Sequence, residues 1–221
     1  MSTDDAGVNL WTSSDHALNY LSRADKIPHR TEGERTLLEF VPAAAKRILD
    51  LGSGDGRLLS LVLADRPLAD ALALDFSLTM LDRLRQRFAS NPRVQVVEHD
   101  LSSPLPEIGR FDAIVSSFAI HHLTHARKRQ LYAEIFARLN PDGVFCNLEH
   151  VASPTEQLHI SFLSAINYTP ETEDPSNKLL DLATQLLWLG EIGFVHVDCH
   201  WKWRELALLA GVREKCEASF A

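Results

Sequence analysis

The chain has 221 residues, 45% of them apolar and 24% charged, with a formal net charge of −8. Such a composition is ordinary for a soluble globular protein, and the acidity argues against a polyanionic partner, because nucleic-acid binders carry a basic footprint. No apolar run approaches a membrane span, Met1-Ser2-Thr3-Asp4-Asp5 is polar and acidic, and Cys146, Cys199 and Cys216 lack a C-x-x-C pair; a cytoplasmic protein with free thiols and no structural metal is expected.

In chain order, Ser13-Ser14-Asp15 caps a helix to about Asp25, which Pro28 breaks. Thr31 to Glu34 is a T-x-x-E capping-box match opening a second helix toward Phe40. Arg47–Leu51 is a first strand, followed by a glycine-rich turn and an apolar helix through Leu58, Leu59 and Val62. Ala69–Phe76 is a near-continuous apolar run, as a strand buried on both faces requires. Ser77 then caps a helix with Leu78, Leu81, Leu84 and Phe88 at helical spacing. Val94–Val97 and Phe111–Ser116 are the third and fourth strands. A helix over Arg127–Leu139 closes at Asn140-Pro141-Asp142-Gly143, and Val144–Glu149 is strand five. The basic runs Arg83, Arg85, Arg87 and Arg127, Lys128, Arg129 both fall on helical patterns and read as solvated faces.

Beyond strand five, Pro154–Ala165 and Leu179–Leu189 read as helices separated by a loop over Asn167–Asn177. Phe194–Trp203 and Glu205–Ala210 close the chain as strands. Alternating strands and helices predict a Rossmann-like, doubly wound α/β sheet of seven mostly parallel strands with an antiparallel C-terminal strand. One domain is expected over residues 1–221: an N-terminal helical cover (1–45), a core (46–151), a helical insertion (152–192) and C-terminal strands (193–221).

Gly52, Gly54 and Gly56 alternate with Ser53 and Asp55 directly after the first strand, and Asp50 stands two residues before the first glycine. A dinucleotide fingerprint G-x-G-x-x-G would need a third glycine where Arg57 or Leu59 stands, which disfavours NAD. In open parallel sheets ligands bind beyond the carboxyl ends of the strands. Those ends carry the glycine loop, Asp75, Asp100, and Ser116 with Ser117. A carboxylate at Asp75 can accept both hydroxyls of a ribose.

This ordered series resembles the class I S-adenosylmethionine (SAM)-dependent methyltransferases across about Arg47–Val151, including the L-N-P-D-G turn before strand five. The resemblance implies that Gly52, Ser53, Gly54 and Gly56 receive the amino-acid end of SAM. It places Asp75 on the ribose, Phe76 and Met80 against adenine, Asp100 on the adenine amino group and the Leu101 N–H near the ring. Ser116 falls at the same strand-end set. Arg30, in the segment that often folds over the cofactor in this family, would meet the SAM carboxylate.

Methyl transfer needs alignment above all, and a base only where the nucleophile carries a proton. His121 and His122 after strand four, and Glu149 at the end of strand five beside His150, are the candidate catalytic groups. Glu149 and His150, adjacent on a strand, point to opposite faces, so only one of them can readily face a pocket. The overall layout also resembles small methyltransferases that act on organic acids, with no acceptor motif that names one. The expected activity is methylation of a small-molecule acceptor at oxygen or nitrogen by a monomer or homodimer. The rivals are modification of tRNA or protein, and a non-catalytic SAM-binding regulator.

Overall fold

The computed structural model describes residues 10–24 and 27–215. The Met1–Asp5 stretch, the expected helix end at Asp25, and Cys216 lie outside these residues. Seven strands form one sheet: β1 (Arg47–Leu51), β2 (Asp70–Asp75), β3 (Val94–Glu98), β4 (Phe111–Ser117), β5 (Leu139–His150), β6 (Val195–Trp203) and β7 (Leu206–Arg213). Their order is β3-β2-β1-β4-β5-β7-β6. Strands β1 to β5 pair in parallel, and β7 runs antiparallel between β5 and β6. This is the Rossmann-like, doubly wound fold that the alternating pattern predicts.

Period-two alternation divides each strand between two cores. Ile48, Ala71, Ala73, Val115 and Leu148 pack on one face, against Leu37 of α2 (Arg30–Phe40), Leu59 and Val62 of α3 (Arg57–Asp65), and Leu81 of α4 (Leu78–Arg87). Leu49, Leu51, Leu72, Leu74, Ile114 and Phe145 pack on the other, against Leu131 and Ile135 of α5 (His125–Arg138) and Leu189 of α7 (Leu182–Ile192). Burial on both faces explains why β1, β2 and β4 read as continuous apolar runs. The connections reverse direction between β1 and β4, which opens a crevice at their carboxyl ends.

The N-terminal helix α1 (Ser14–Ala24) and α2 lie before the sheet, and α6 (Glu156–Ala165) and α7 form the insertion after β5. Several local expectations are corrected. The Thr31–Glu34 capping box does not form: α2 starts at Arg30, with His29 left-handed at φ 60° and no side-chain cap. The Glu34 carboxylate is instead buried, accepting from Arg30 Nε and Arg57 Nε, both at 2.8 Å. Two guanidinium groups outcompete a backbone N–H for a buried carboxylate. Ser77 holds the N-cap position of α4, but its side chain makes no capping bond.

Arg127 and Lys128 are buried, whereas Arg129 is exposed, so this basic run is not the solvated face expected of it. Arg127 is folded onto Glu134 and the carbonyls of Leu101 and Ser103. Lys128 Nζ donates to the carbonyls of His121, Leu123 and Lys178. The Asn140–Gly143 turn is absorbed into β5 as an irregularity, with Asp142 left-handed at φ 62°.

Candidate active site

A cavity of about 770 Å³ opens at the carboxyl ends of the parallel strands. Gly52, Ser53 and Gly54 reach it after β1, Asp75 and Phe76 after β2, and His99, Asp100 and Leu101 after β3. Ser117, Phe118 and His122 reach it at and after β4, and Met80 from α4. Leu10, Trp11 and Arg30 line it from the N-terminal segment, and Pro175, Ser176 and Lys178 from the loop before α7. Asp50, Gly52, Ser53, Gly54, Asp75, Phe76, Met80, Asp100, Leu101, Arg30 and His122 are thus brought together. Gly56, Ser116, His121 and Glu149 do not line the cavity.

The glycine loop is held by the neighbouring strand end. Asp75 Oδ2 accepts the Gly54 N–H and Oδ1 the Ser77 N–H, both at 2.8 Å. A carboxylate has about four acceptor sites, so two remain for a ligand. Burial raises the Asp75 pKa, and these backbone donors oppose the rise. Gly54 adopts φ +56°, and a Cβ there would meet nothing within 4 Å, so the space beside it is open. Gly56 adopts φ +83°, and a Cβ there would strike Leu84 and Phe88 at 2.6 and 2.7 Å. Gly54 therefore borders the cavity, and Gly56 lets α3 close against α4. Ser116 is likewise structural, its hydroxyl donating to the Leu51 carbonyl at 2.9 Å.

Asp50 is fully buried in this cleft, and desolvation raises its pKa to about 7 against the lowering pull of Ser53, with the Asp75 charge adding to the rise. Arg30 is buried too, with its guanidinium on Glu34 and 5.3 Å from the centre of the Phe118 ring.

The two histidines have different surroundings. His121 Nδ1 lies 2.7 Å from Glu149 Oε1, and both groups are buried. Burial lowers the imidazole pKa and raises that of the carboxyl. His150 is turned to its own partner, with Nε2 2.8 Å from Glu205 Oε2. Neither member of the adjacent pair Glu149 and His150 lines the cavity.

His122 does line it. Its Nδ1 is 2.9 Å from Ser176 Oγ, and Ser176 Oγ donates to Asp174 Oδ1 at 2.7 Å. The serine proton is engaged by the carboxylate, so His122 Nδ1–H is the donor and Nε2 keeps its lone pair. Burial first, then the His121 charge, hold the His122 pKa well below the ordinary histidine value. Asp174 also meets His16 Nε2 of α1 at 3.2 Å. Trp11 packs edge-on against both His16 and His122, at centroid distances of 4.8 and 5.3 Å.

Residues 48–143 match the family model described as a methyltransferase domain. The chain is 30% identical over 181 residues to a demethylmenaquinone methyltransferase of Clavibacter sepedonicus, covering 74% of this chain and 71% of that one. The chain belongs to the class I SAM-dependent methyltransferases. The methyltransferase is also 28% identical over 171 residues to a trans-aconitate 2-methyltransferase of Paracidovorax citrulli, 74% of this chain and 57% of that one. An O-methyltransferase family protein from Burkholderia thailandensis shares its fold with a TM-score of 0.72 at 19% identity, over 92% of this chain. The methyltransferase spans 60% of that structure's chain. No helix among the described residues is long and apolar enough to cross a membrane.

SAM is the cofactor of this enzyme family, and the cavity residues suit it. Asp50 Oδ2, His99 Nε2 and Ser117 Oγ are buried with no hydrogen-bond partner among the described residues, and all three residues line the cavity. Buried polar atoms are almost always paired, so these three call for a polar ligand. Gly54 adds the open space in which such a ligand meets the backbone. His99 was not singled out from the sequence. Its signal was its place directly before Asp100 at a strand end. Asp174 and Ser176 fall in the expected loop and Lys178 between it and the expected helix, and no local pattern marks residues that act by meeting a distant histidine.

Proposed function

We propose that the methyltransferase transfers the SAM methyl group to an oxygen or nitrogen of a small-molecule acceptor, with His122 as the general base for a hydroxyl. The carrying observation is that one cavity holds the glycine loop, the strand-end acids Asp75 and Asp100, and a neutral histidine. Its volume falls within the range of about 300–1,000 Å³ typical of small-molecule sites.

In this reading Asp75 accepts the ribose hydroxyls with its two remaining lone-pair sites. Phe76 and Met80 pack on adenine, and Asp100 with the Leu101 N–H meets its polar edge. Gly52, Ser53 and Gly54 receive the amino-acid end beside Asp50 and Arg30, while Gly56 and Ser116 keep the loop in shape. Bound SAM supplies an activated methyl group on a sulfonium.

The remaining work falls to the chain. Alignment of the acceptor can contribute about 7–11 kcal/mol of the barrier. With SAM bound, His122 Nε2 would take the proton of an acceptor hydroxyl as its oxygen is methylated, the displaced SAH leaving as a neutral thioether. Ser176 and Asp174 hold the imidazole in the tautomer this requires, and His121, anchored on Glu149, buttresses it at a ring distance of 4.0 Å.

Calorimetry with SAM, S-adenosylhomocysteine (SAH) and NAD tests the cofactor site, and NAD binding without a SAM response would refute it. Labelled methyl transfer into metabolite, tRNA and protein fractions tests the acceptor class. Label appearing only in tRNA or protein would overturn the small-molecule reading.

A further inference from the structure

Besides its histidines, the cavity is lined by three arginines and a lysine: Arg30, Arg57, Arg127 and Lys178. Arg30 and Arg57 both hold Glu34, and Arg127 holds Glu134. Lys178 differs. Among the described residues its Nζ donates only to the His122 carbonyl, at 3.4 Å, and no carboxylate lies within the 4.0 Å of an ion pair.

The acids just before it in the loop, and the buried Glu149, are engaged elsewhere. Asp174 accepts from Ser176 and meets His16, Glu173 is shared by His159 and Asn177, and Glu149 is taken by His121 and Asn147. The Lys178 backbone is fixed from both sides: its N–H donates to the His121 carbonyl at 2.9 Å, and its own carbonyl accepts from Lys128 Nζ. Lys128 in turn is bound by carbonyls alone. Burial, and the nearby Lys178 charge, push its pKa down to about 8, although Glu149 pulls the other way. Two ammonium groups with no ion-paired carboxylate among the described residues thus stand beside the histidine end of the cavity. A half-buried ammonium in that position is stabilised by an anion from outside the chain.

We propose that Lys178 is the acceptor-binding cation, and that the preferred acceptor is a small organic acid whose anionic group pairs with it. The Lys178 ammonium bonds to the carbonyl of His122, the residue that carries the base, so an acid seated on it has its nucleophilic atom in the same corner of the cavity. This rests on the methyl-transfer reading above and adds a substrate class and a specificity residue to it.

The test uses the full chain, labelled SAM, and trans-aconitate, malate and salicylate, each beside its neutral amide. The acids should be methylated in preference to their amides. Lys178→Gln should raise KM for the acids by about 10- to 100-fold, the effect of losing a hydrogen bond to a charged group. Lys178→Arg should recover most of that loss. Calorimetry should show SAH binding unchanged in Lys178→Gln, and the acids binding the SAH-saturated wild type more tightly than the variant. Amides used as well as acids, or an unchanged KM, would overturn the inference and leave the methyl-transfer reading intact. A weakened SAH affinity would reassign Lys178 to the cofactor carboxylate and also overturn it. SAH binding with no transfer to any compound would count against both.

Discussion

Asp75 Oδ2 accepts the Gly54 N–H at 2.8 Å, so the acid at the end of β2 fixes the glycine loop at the end of β1. Its other oxygen accepts the Ser77 N–H that opens α4. One carboxylate therefore joins two strand ends and a helix start before any ligand arrives. Asp75→Ala should weaken SAH binding by about 1–3 kcal/mol, through lost ribose hydrogen bonds and a loosened loop. Calorimetry measures it, and unchanged affinity would remove Asp75 from the ribose site. Asp75→Asn, which keeps one acceptor oxygen, should lose less.

The glycines separate binding from folding. Gly54→Ala meets open space, so the cost to the fold is the backbone strain of a left-handed residue, about 1–2 kcal/mol. The new methyl group nonetheless intrudes on the cavity, and SAH affinity should drop sharply. Gly56→Ala pays the same strain and also drives a Cβ into Leu84 and Phe88. It should lose about 1–3 kcal/mol more stability by overpacking. Thermal unfolding beside SAH titration distinguishes the two variants. Equal melting temperatures would contradict the assignment of Gly56 to helix packing.

Asp50 links pH, stability and cofactor. Burial pushes its carboxyl pKa to about 7 in the folded chain, against 3.8 for a free aspartate. Between these values the folded state keeps a proton that the unfolded state has released. Stability therefore falls as pH rises from about 4 to 7 and levels off above. Asp50→Asn removes the penalty: its melting temperature should match the wild type near pH 4 and exceed it at pH 8. Binding a cationic cofactor favours the carboxylate, so SAM binding near neutrality should release a proton in the wild type and not in Asp50→Asn. Titration in buffers of different ionisation enthalpy reads this directly.

His122 and His121 should fail differently. His122→Gln should cut kcat by about 10²–10⁴-fold on a hydroxyl acceptor while leaving SAH affinity and melting temperature nearly unchanged. His121→Ala removes the partner of a fully buried carboxyl and should cost about 1–3 kcal/mol of stability. A kcat loss in His121→Ala as large as in His122→Gln, at unchanged stability, would transfer the base role to His121.

Strand and helix identities were legible because they depend on short-range patterns. The apolar runs of β1, β2 and β4, the glycine loop after β1 and the acids at the ends of β2 and β3 are read within a few residues of themselves. The fates of the charged helix residues were not legible that way. Arg127 and Lys128 fit an exposed helical face by spacing, yet tertiary packing turns Arg127 to Glu134 and Lys128 to three backbone carbonyls. Glu34 met a local capping rule and was claimed instead by Arg57, 23 residues away.

The sequence by itself determined the sheet, its layers and the cofactor crevice, since hydrophobic periodicity and backbone conformational limits act locally and add up along the chain. Only the tertiary structure decided which histidine lines the cavity, that Ser176 and Asp174 stand on its Nδ1 side, and that Lys178 meets no carboxylate among the described residues. Those relations join residues more than 50 positions apart. A hydrogen bond or an unpaired charge depends on distance in space, and the chain fixes that distance only once both cores have closed around the sheet.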